Sequence, residues 1–338
     1  MDVEFPALTP VFTPALTPVS TPVAAKRIFQ ANVVAQTAIV VTGGLVRLTG
    51  SGLGCPTWPE CTAGSLVPTA TQEQSWHKYV EFGNRTLTFV IAIVAIVTLL
   101  AAVVINRRLS AQGRKSRPVL VALASAGMLG IVAQAVLGGI TVRTGLNPAT
   151  VGAHFLVSMI LIAASVILLH RSEEPGDQPI VSLVAPAIRI LSRALVAIAA
   201  VVVVLGTAVT GSGPHSGDAR TTVRYDIDPR TIAWLHADAV LLFLGLTAGI
   251  LVALYVGNSP ARCRIRAWVL VFIVIGQGVV GYAQFFTGVP WLLVAVHILG
   301  ACLVWIFVLR LHLSLRARGV SSAGGVDAVM EKTAARVL

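Results

Sequence analysis

Residues 130–154 read GIVAQAVLGGITVRTGLNPATVGAH, and residues 273–297 read IVIGQGVVGYAQFFTGVPWLLVAVH. Gln134, Gly138, Thr144-Gly145 and His154 recur as Gln277, Gly281, Thr287-Gly288 and His297, displaced without a gap by the same 143 positions, 134 to 277 and 154 to 297. Each copy is an apolar run, a Thr-Gly turn and a second apolar run with one histidine near its start. The likeness extends backwards: Thr49-Gly50-Ser51-Gly52 closes the first apolar run of the chain, and Thr210-Gly211-Ser212-Gly213 closes the fifth. Tyr79 to Thr86 then corresponds to Thr231 to Asp238, which sets Asn84 opposite His236. Two units of four runs are expected, and an even number of crossings makes such units parallel rather than inverted.

The chain has 338 residues, of which 56% are hydrophobic and only 12% charged; an ordinary soluble domain is about 25% charged. Runs of roughly 20 apolar residues are long enough to cross a bilayer. They fall near 28–47, 83–105, 119–141, 149–170, 190–210, 232–256, 267–286 and 291–312. The fold class is therefore an all-α polytopic membrane protein, with eight transmembrane helices arranged as two parallel four-helix repeats. The repeats are expected at 28–170 and 190–312, joined by a cytoplasmic linker at 171–189. Flanking them are a disordered cytoplasmic tail at 1–27, rich in Thr-Pro at Thr9, Thr13, Thr17 and Thr21, and a C-terminal tail at 313–338. The prolines block helix, and with no charged start before an apolar core the N-terminal stretch does not read as a signal peptide.

The net charge of +11 has a topological explanation. Arg107, Arg108, Arg114, Lys115 and Arg117 follow the second run, Arg171, Arg189 and Arg193 the fourth, and Arg262, Arg264 and Arg266 the sixth. The loops on the other side hold fewer basic residues: Lys78, Arg143, Arg220, Arg224 and Arg230. Basic loops stay inside, so both termini are expected in the cytoplasm, with the chain in the plasma membrane. The lipid bilayer is the partner that this charge implies, and no nucleic acid is needed.

The longest outer loop runs through Cys55-Pro56-Thr57-Trp58-Pro59-Glu60-Cys61. On the oxidising side of a membrane this pair favours a disulfide; a redox relay or a zinc site is the alternative, and zinc would need two further ligands. Cys263 and Cys302 read as free thiols. Glu81 and Asn84 are three apart on one helix face, and His77 one turn earlier shares it. A carboxylate at the lip of an apolar helix is a functional candidate by default. Its plain alternative is an anchor paired with Lys78 or Arg85, and its counterpart in the second unit is Ala233.

Of seven histidines, His170 and His312 lie at cytoplasmic helix ends, where capping or snorkelling accounts for them, and His215 reads as a solvated loop residue. His154, His236 and His297 sit at repeat-related depths beside glycines that let a flat ring approach. A lone membrane histidine more often bonds another helix; three at matched depths favour ligation. Two facing imidazoles give six-coordinate haem iron suited to electron transfer. His236 and His297 form a complete pair, whereas His154 faces Asn84, a poor iron ligand.

With these residues in hand, the chain resembles the haem A synthase family, eight-span enzymes that oxidise haem O to haem A. The resemblance covers roughly 28–312. It rests on the Thr-Gly-Ser-Gly turn, the Cys55 to Cys61 loop, Glu81 in Val-Glu-Phe-Gly-Asn-Arg, and His154, His236 and His297. It implies a haem b, its iron axially ligated by His236 and His297, and a substrate haem O in the first half, with Glu81 in catalysis. It also implies two successive oxidations of one ring methyl, haem O synthase as a partner, an electron partner that the sequence does not identify, and room for a homo-oligomer. The family carries a histidine where this chain has Asn84, so His154 alone is expected on the substrate iron, with His77 as the alternative second ligand.

Two rivals remain. A cytochrome b-like electron-transfer subunit would keep two complete ligand pairs and would not need Glu81. A transporter with parallel repeats would show broken helices, and the interiors of the eight spans contain no proline.

Overall fold

The computed structural model describes residues 21–174, 176, 179–218 and 223–318. Most of the two expected tails, together with Arg220, lies outside these residues. Among the described residues eight helices run along the bundle: α1 Val23–Leu48, α2 His77–Ala111, α3 Pro118–Arg143, α4 Pro148–Glu173, α5 Pro186–Ser212, α6 Pro229–Val256, α7 Ala261–Phe286 and α8 Trp291–Ser314. All eight are long and apolar enough to span a bilayer, and the chain is a multi-pass membrane protein. Two short strands, β1 Ile180–Ser182 and β2 Arg316–Arg318, pair antiparallel with Val181 opposite Ala317.

Local chemistry sets the helix ends. Pro118, Pro148, Pro186 and Pro229 open α3 to α6, where a missing N–H costs nothing and φ is already helical. Asn147 caps α4 through Ala149 N at 2.9 Å, and Asp228 caps α6 through Thr231 N at 2.8 Å. The Thr231 hydroxyl and N–H together hold the Asp228 carboxyl below its ordinary pKa. At the other ends, the hydroxyls of Thr49, Thr144 and Thr287 each bond the carbonyl one turn back. The glycine that follows each takes a left-handed φ: 68° at Gly50, 61° at Gly145 and 77° at Gly288, which glycine adopts without steric cost.

The fourth such turn departs from expectation. α5 continues through Gly211 to Ser212, because the outer loop folds back there: Tyr225 N donates to Gly211 O at 3.1 Å and the Tyr225 ring lies against Gly211. Helix boundaries also shift outward from the apolar runs. At 35 residues α2 is about 52 Å long at 1.5 Å per residue, well beyond a hydrocarbon core of about 30 Å, so hydropathy saw only its middle. α1 starts at Val23 rather than 28, because the stretch before it is tied to α4: Thr21 bonds Ser172 O, and Lys26 Nζ pairs with Glu173 at 2.9 Å.

Packing joins the helices in two groups. In the first, α1, α2, α3 and α4 pack in sequence and α1 closes on α4; in the second, α5 to α8 do the same and α5 closes on α8. The diagonal helices, α2 and α4 or α6 and α8, share no extensive contact. The groups meet through α4 on α8, α1 on α8 and α4 on α5. Lipid tails are as apolar as leucine, so close packing and polar bonds must hold these seams. Gly44 lets α1 approach Ile298 of α8. Asn32 Nδ2 meets Ser165 Oγ at 2.9 Å between α1 and α4, and Trp305 Nε1 of α8 donates to Met159 O of α4 at 2.9 Å. Such bonds contribute about 0.6 kcal/mol each. Phe89, Leu129, Phe272 and Phe286 point outward, as a surface facing lipid requires.

The outer loops join the groups as well. Arg47 donates to Thr210 O at 2.8 Å and to His215 O at 2.7 Å, and Gly52 N donates to Gly217 O at 2.7 Å. His215 is therefore not a solvated residue: its carbonyl holds Arg47 and its Nε2 lies 2.9 Å from Val289 O.

Candidate functional site

Each of the three histidines stands on a glycine of the preceding helix. A Cβ placed on Gly138 of α3 would lie 3.4 Å from His154 Cε1 of α4; on Gly206 of α5, 3.4 Å from His236 Cε1 of α6; on Gly281 of α7, 3.3 Å from His297 Cε1 of α8. The fourth equivalent place pairs Gly43 of α1 with the Asn84 amide of α2 at 3.9 Å. An added methyl would crowd the ring at the three histidine seats and make ordinary contact at Gly43. The register is fixed by a glutamine in both matched copies: Gln134 Nε2 donates to His154 O at 2.9 Å, and Gln277 Nε2 to His297 O at 2.8 Å. In the first copy Gln134 also reaches Ser158 Oγ at 2.6 Å.

One nitrogen of each ring has no internal partner. Nδ1 of His154, His236 and His297 is buried without a hydrogen bond, as is Asn84 Oδ1. A buried polar atom left unpaired is costly, and here it recurs four times at matched positions. The His236 and His297 rings are near enough to interact electrostatically, although their helices are diagonal in the second group. Among the described residues no three of His, Cys, Asp and Glu converge in a way that could hold a bare metal ion.

Glu81 lies in the first turns of α2, 6% exposed. Its Oε2 accepts from Cys55 N at 2.7 Å, and its Oε1 accepts from Arg85 Nε at 3.1 Å and Nη2 at 2.7 Å. Arg85 reaches onward to the carbonyls of Cys55 at 2.8 Å, Thr57 at 3.0 Å and Glu60 at 3.1 Å. The pair thus clamps the outer loop, which a Cys55–Cys61 disulfide closes. From α3 the same loop is held by Trp58, whose ring covers Gly139 and carries the Arg143 guanidinium 5.9 Å from its centroid. A cover therefore lies over the end of the first group that carries Glu81, Asn84 and His154.

The structure sorts the remaining candidates. Lys78 turns away from Glu81 and donates to Thr69 O at 2.7 Å. His77 faces Ser51, with Nδ1 2.9 Å from Oγ, and stacks on Trp76, so it does not meet Glu81. His312 contacts Ser192 of α5 at 3.0 Å, a helix-to-helix bond rather than snorkelling. Cys263 and Cys302 are free and buried. The Arg85 clamp was visible in the sequence only as one charge four residues from another, and the Trp58 cover left no sequence signal beyond an aromatic between two prolines.

Residues 26–216 match the family model COX15-CtaA, described as cytochrome oxidase assembly protein. The chain belongs to this family. The match takes in the loop, Glu81, Asn84 and His154 and ends ahead of α6, so His236 and His297 lie beyond it. Similar proteins bear the family out. A Heme A synthase of Geobacillus thermodenitrificans is 32% identical over 139 residues, 40% of this chain and 39% of the relative. One of Listeria welshimeri is 32% identical over 137 residues, 40% of this chain and 41% of the relative. The chain thus spans about two fifths of the length of these curated relatives.

Proposed function

We propose that this member of the family is a haem A synthase, oxidising a ring methyl of haem O to a formyl group. The observation that carries the reading is the glycine-backed ring seat repeated on three helix pairs, with an amide in the fourth. A porphyrin is flat, brings its own equatorial nitrogens, and asks of the protein a slot between helices and an axial imidazole. Diagonal helices held apart, and imidazoles whose Nδ1 bonds nothing, fit that demand. The two four-helix groups are then the duplicated units, 28–170 for the substrate and 190–312 for haem b, with the basic end in the cytoplasm and the chain in the plasma membrane.

In the second group His236 and His297 would hold haem b, which would supply one-electron transfer. In the first group His154 holds haem O, and Asn84 occupies the place of an opposing imidazole without ligating strength. His77, engaged by Ser51, is not the second ligand. Glu81 takes up protons released as the methyl and one water become a hydroxymethyl group with loss of two electrons, and as that group and a second water become a hydrated aldehyde with loss of two more; the hydrate then loses water to give the formyl. Arg85 orients that carboxylate, and the disulfide loop excludes bulk water from it. Haem O synthase supplies the substrate, and an external partner accepts the electrons.

Purified protein tests this by its absorption spectrum and by extraction of its haems. Haem A or its alcohol precursor is expected beside haem b, and His236→Ala or His297→Ala is expected to remove the low-spin haem b while the protein still inserts. Haem b alone, with added haem O left unconverted, would make the chain an electron-transfer subunit instead.

A further inference from the structure

At the end of the bundle opposite the histidines, a cavity of about 200 Å3 opens between the last turns of α4 and α8, the first turns of α7 and the β1–β2 ribbon. That is far more than the roughly 10–15 Å3 needed for one water. Arg262 and Arg266 line it from α7, and Arg316 and Arg318 from β2. His170, Glu173 and Glu174 face them.

Both carboxylates are already matched by other cations. Glu174 pairs with Arg171 and, at 3.2 Å, with Arg318, while Glu173 pairs with Lys26. Arg262, Arg266 and Arg316 have no carboxylate partner among the described residues. Arg266 bonds only the backbone carbonyl of Arg310, at 3.2 Å. Arg316 Nε is buried without a hydrogen bond, and so is His170 Nε2, for which Glu174 at 3.6 Å is too far. Burial lowers the pKa of Arg316; Glu174 opposes that shift, and Arg318 and Arg171 add to it. The first turn of α7 holds Arg262 and Arg264 and no acid, the reverse of what a helix N-terminus favours. Arg262 is exposed and Arg266 and Arg316 are half-buried; cations gathered without counter-charge repel one another, and these three arginines with His170 present donors that an anion would satisfy.

We propose that this cavity binds a phosphate group, held by Arg262, Arg266 and Arg316 with His170 as a further donor. Arginine matches phosphate oxygens in pairs, and basic pockets between helices at a membrane surface suit phospholipid headgroups. The bound phosphate joins α4 of the first group to α7 and β2 of the second, so it stabilises the seam between them. A lipid headgroup and a free phosphate share this chemistry.

The test uses the full chain in nanodiscs of phosphatidylcholine, with thermal melting and native mass spectrometry as readouts and two probes, inorganic phosphate and phosphatidylglycerol. One probe is expected to raise the melting temperature and to bind one per chain; phosphatidylglycerol alone names a lipid headgroup, and inorganic phosphate alone a soluble ligand. Arg262→Gln with Arg316→Gln is expected to weaken that binding at least roughly tenfold, the loss of charge-assisted bonds, while Arg108→Gln outside the cavity leaves it unchanged. No response to either probe overturns the proposal, as does an equal loss in Arg108→Gln, which would mean general attraction to a basic surface. If the double variant does not insert, Arg262→Gln decides alone, since its side chain has no partner to lose among the described residues, and unchanged affinity in it refutes the site.

Discussion

The clamp that Glu81 makes must be separated from the proton-carrying role proposed for it, and the structure offers the variants that do so. Glu81→Gln keeps one acceptor for either Cys55 N–H or Arg85, and its amide then opposes a donor. A hydrogen bond to a charged group is worth about 1.5–3 kcal/mol. Arg85 is 23% exposed at its side chain and keeps its carbonyl acceptors at Cys55, Thr57 and Glu60, which brings the expected cost to about 2 kcal/mol. Arg85→Gln removes both sides of the clamp, the ion pair and the carbonyl tethers, and should cost about 4 kcal/mol. Stability therefore ranks wild type, Glu81→Gln, Arg85→Gln. Activity should rank differently: per folded molecule, Glu81→Gln makes no haem A or stalls at the alcohol, while Arg85→Gln keeps the carboxylate and retains more turnover. Thermal melting, paired with chromatography of extracted haems from cells supplied with haem O, gives both rankings. If haem A formation per folded molecule follows the stability order, or Glu81→Gln works at the wild-type rate, Glu81 is an anchor and the reaction takes its protons elsewhere.

Three further outcomes follow from distances at the site. Gly281→Ala puts a methyl 3.3 Å from His297 Cε1, while Gly43→Ala puts one 3.9 Å from Asn84; the first should weaken haem b binding by several-fold, about 1 kcal/mol of crowding, and the second should be tolerated, as haem titration followed by absorbance will register. Replacing both Cys55 and Cys61 by Ala removes a closed loop worth about 2 kcal/mol; haem b should remain and conversion of haem O should fall, and mass spectrometry of the wild type should find no free thiol at either position. Asn84→His supplies the fourth imidazole, so the substrate haem should take on a low-spin, six-coordinate spectrum and turn over more slowly; a spectrum identical to wild type would mean that position 84 does not face the iron.

The parts of this molecule legible in its sequence are those that repeat or persist along the chain. Eight apolar runs gave eight helices because crossing a bilayer takes about 20 residues whatever their order, and the Gln-Gly-His spacing that repeats in the sequence falls on residues the fold joins in the same way twice, Gln134 to His154 and Gln277 to His297. Boundaries failed where helices leave the apolar zone, as α2 does by starting at His77 and ending at Ala111. What stayed hidden depends on convergence between distant segments. Arg47 and His215 are 168 positions apart, and nothing local to either announces their bond.

The arginines show why convergence matters. Counted by loop, Arg262 and Arg266 are explained by topology, since positive charge belongs inside, and on that count they require no anion. Folded, they face Arg316 and Arg318 across one cavity while the nearby carboxylates are matched to Lys26, Arg171 and Arg318. The topological rule explains the side of the membrane on which these charges lie, but it gives no reason for gathering several of them around one cavity. Like charges held close together cost more than the same charges spread apart, and a wider spacing was open to side chains as long as these. An anion in the cavity removes that cost, and no carboxylate among the described residues fills the role.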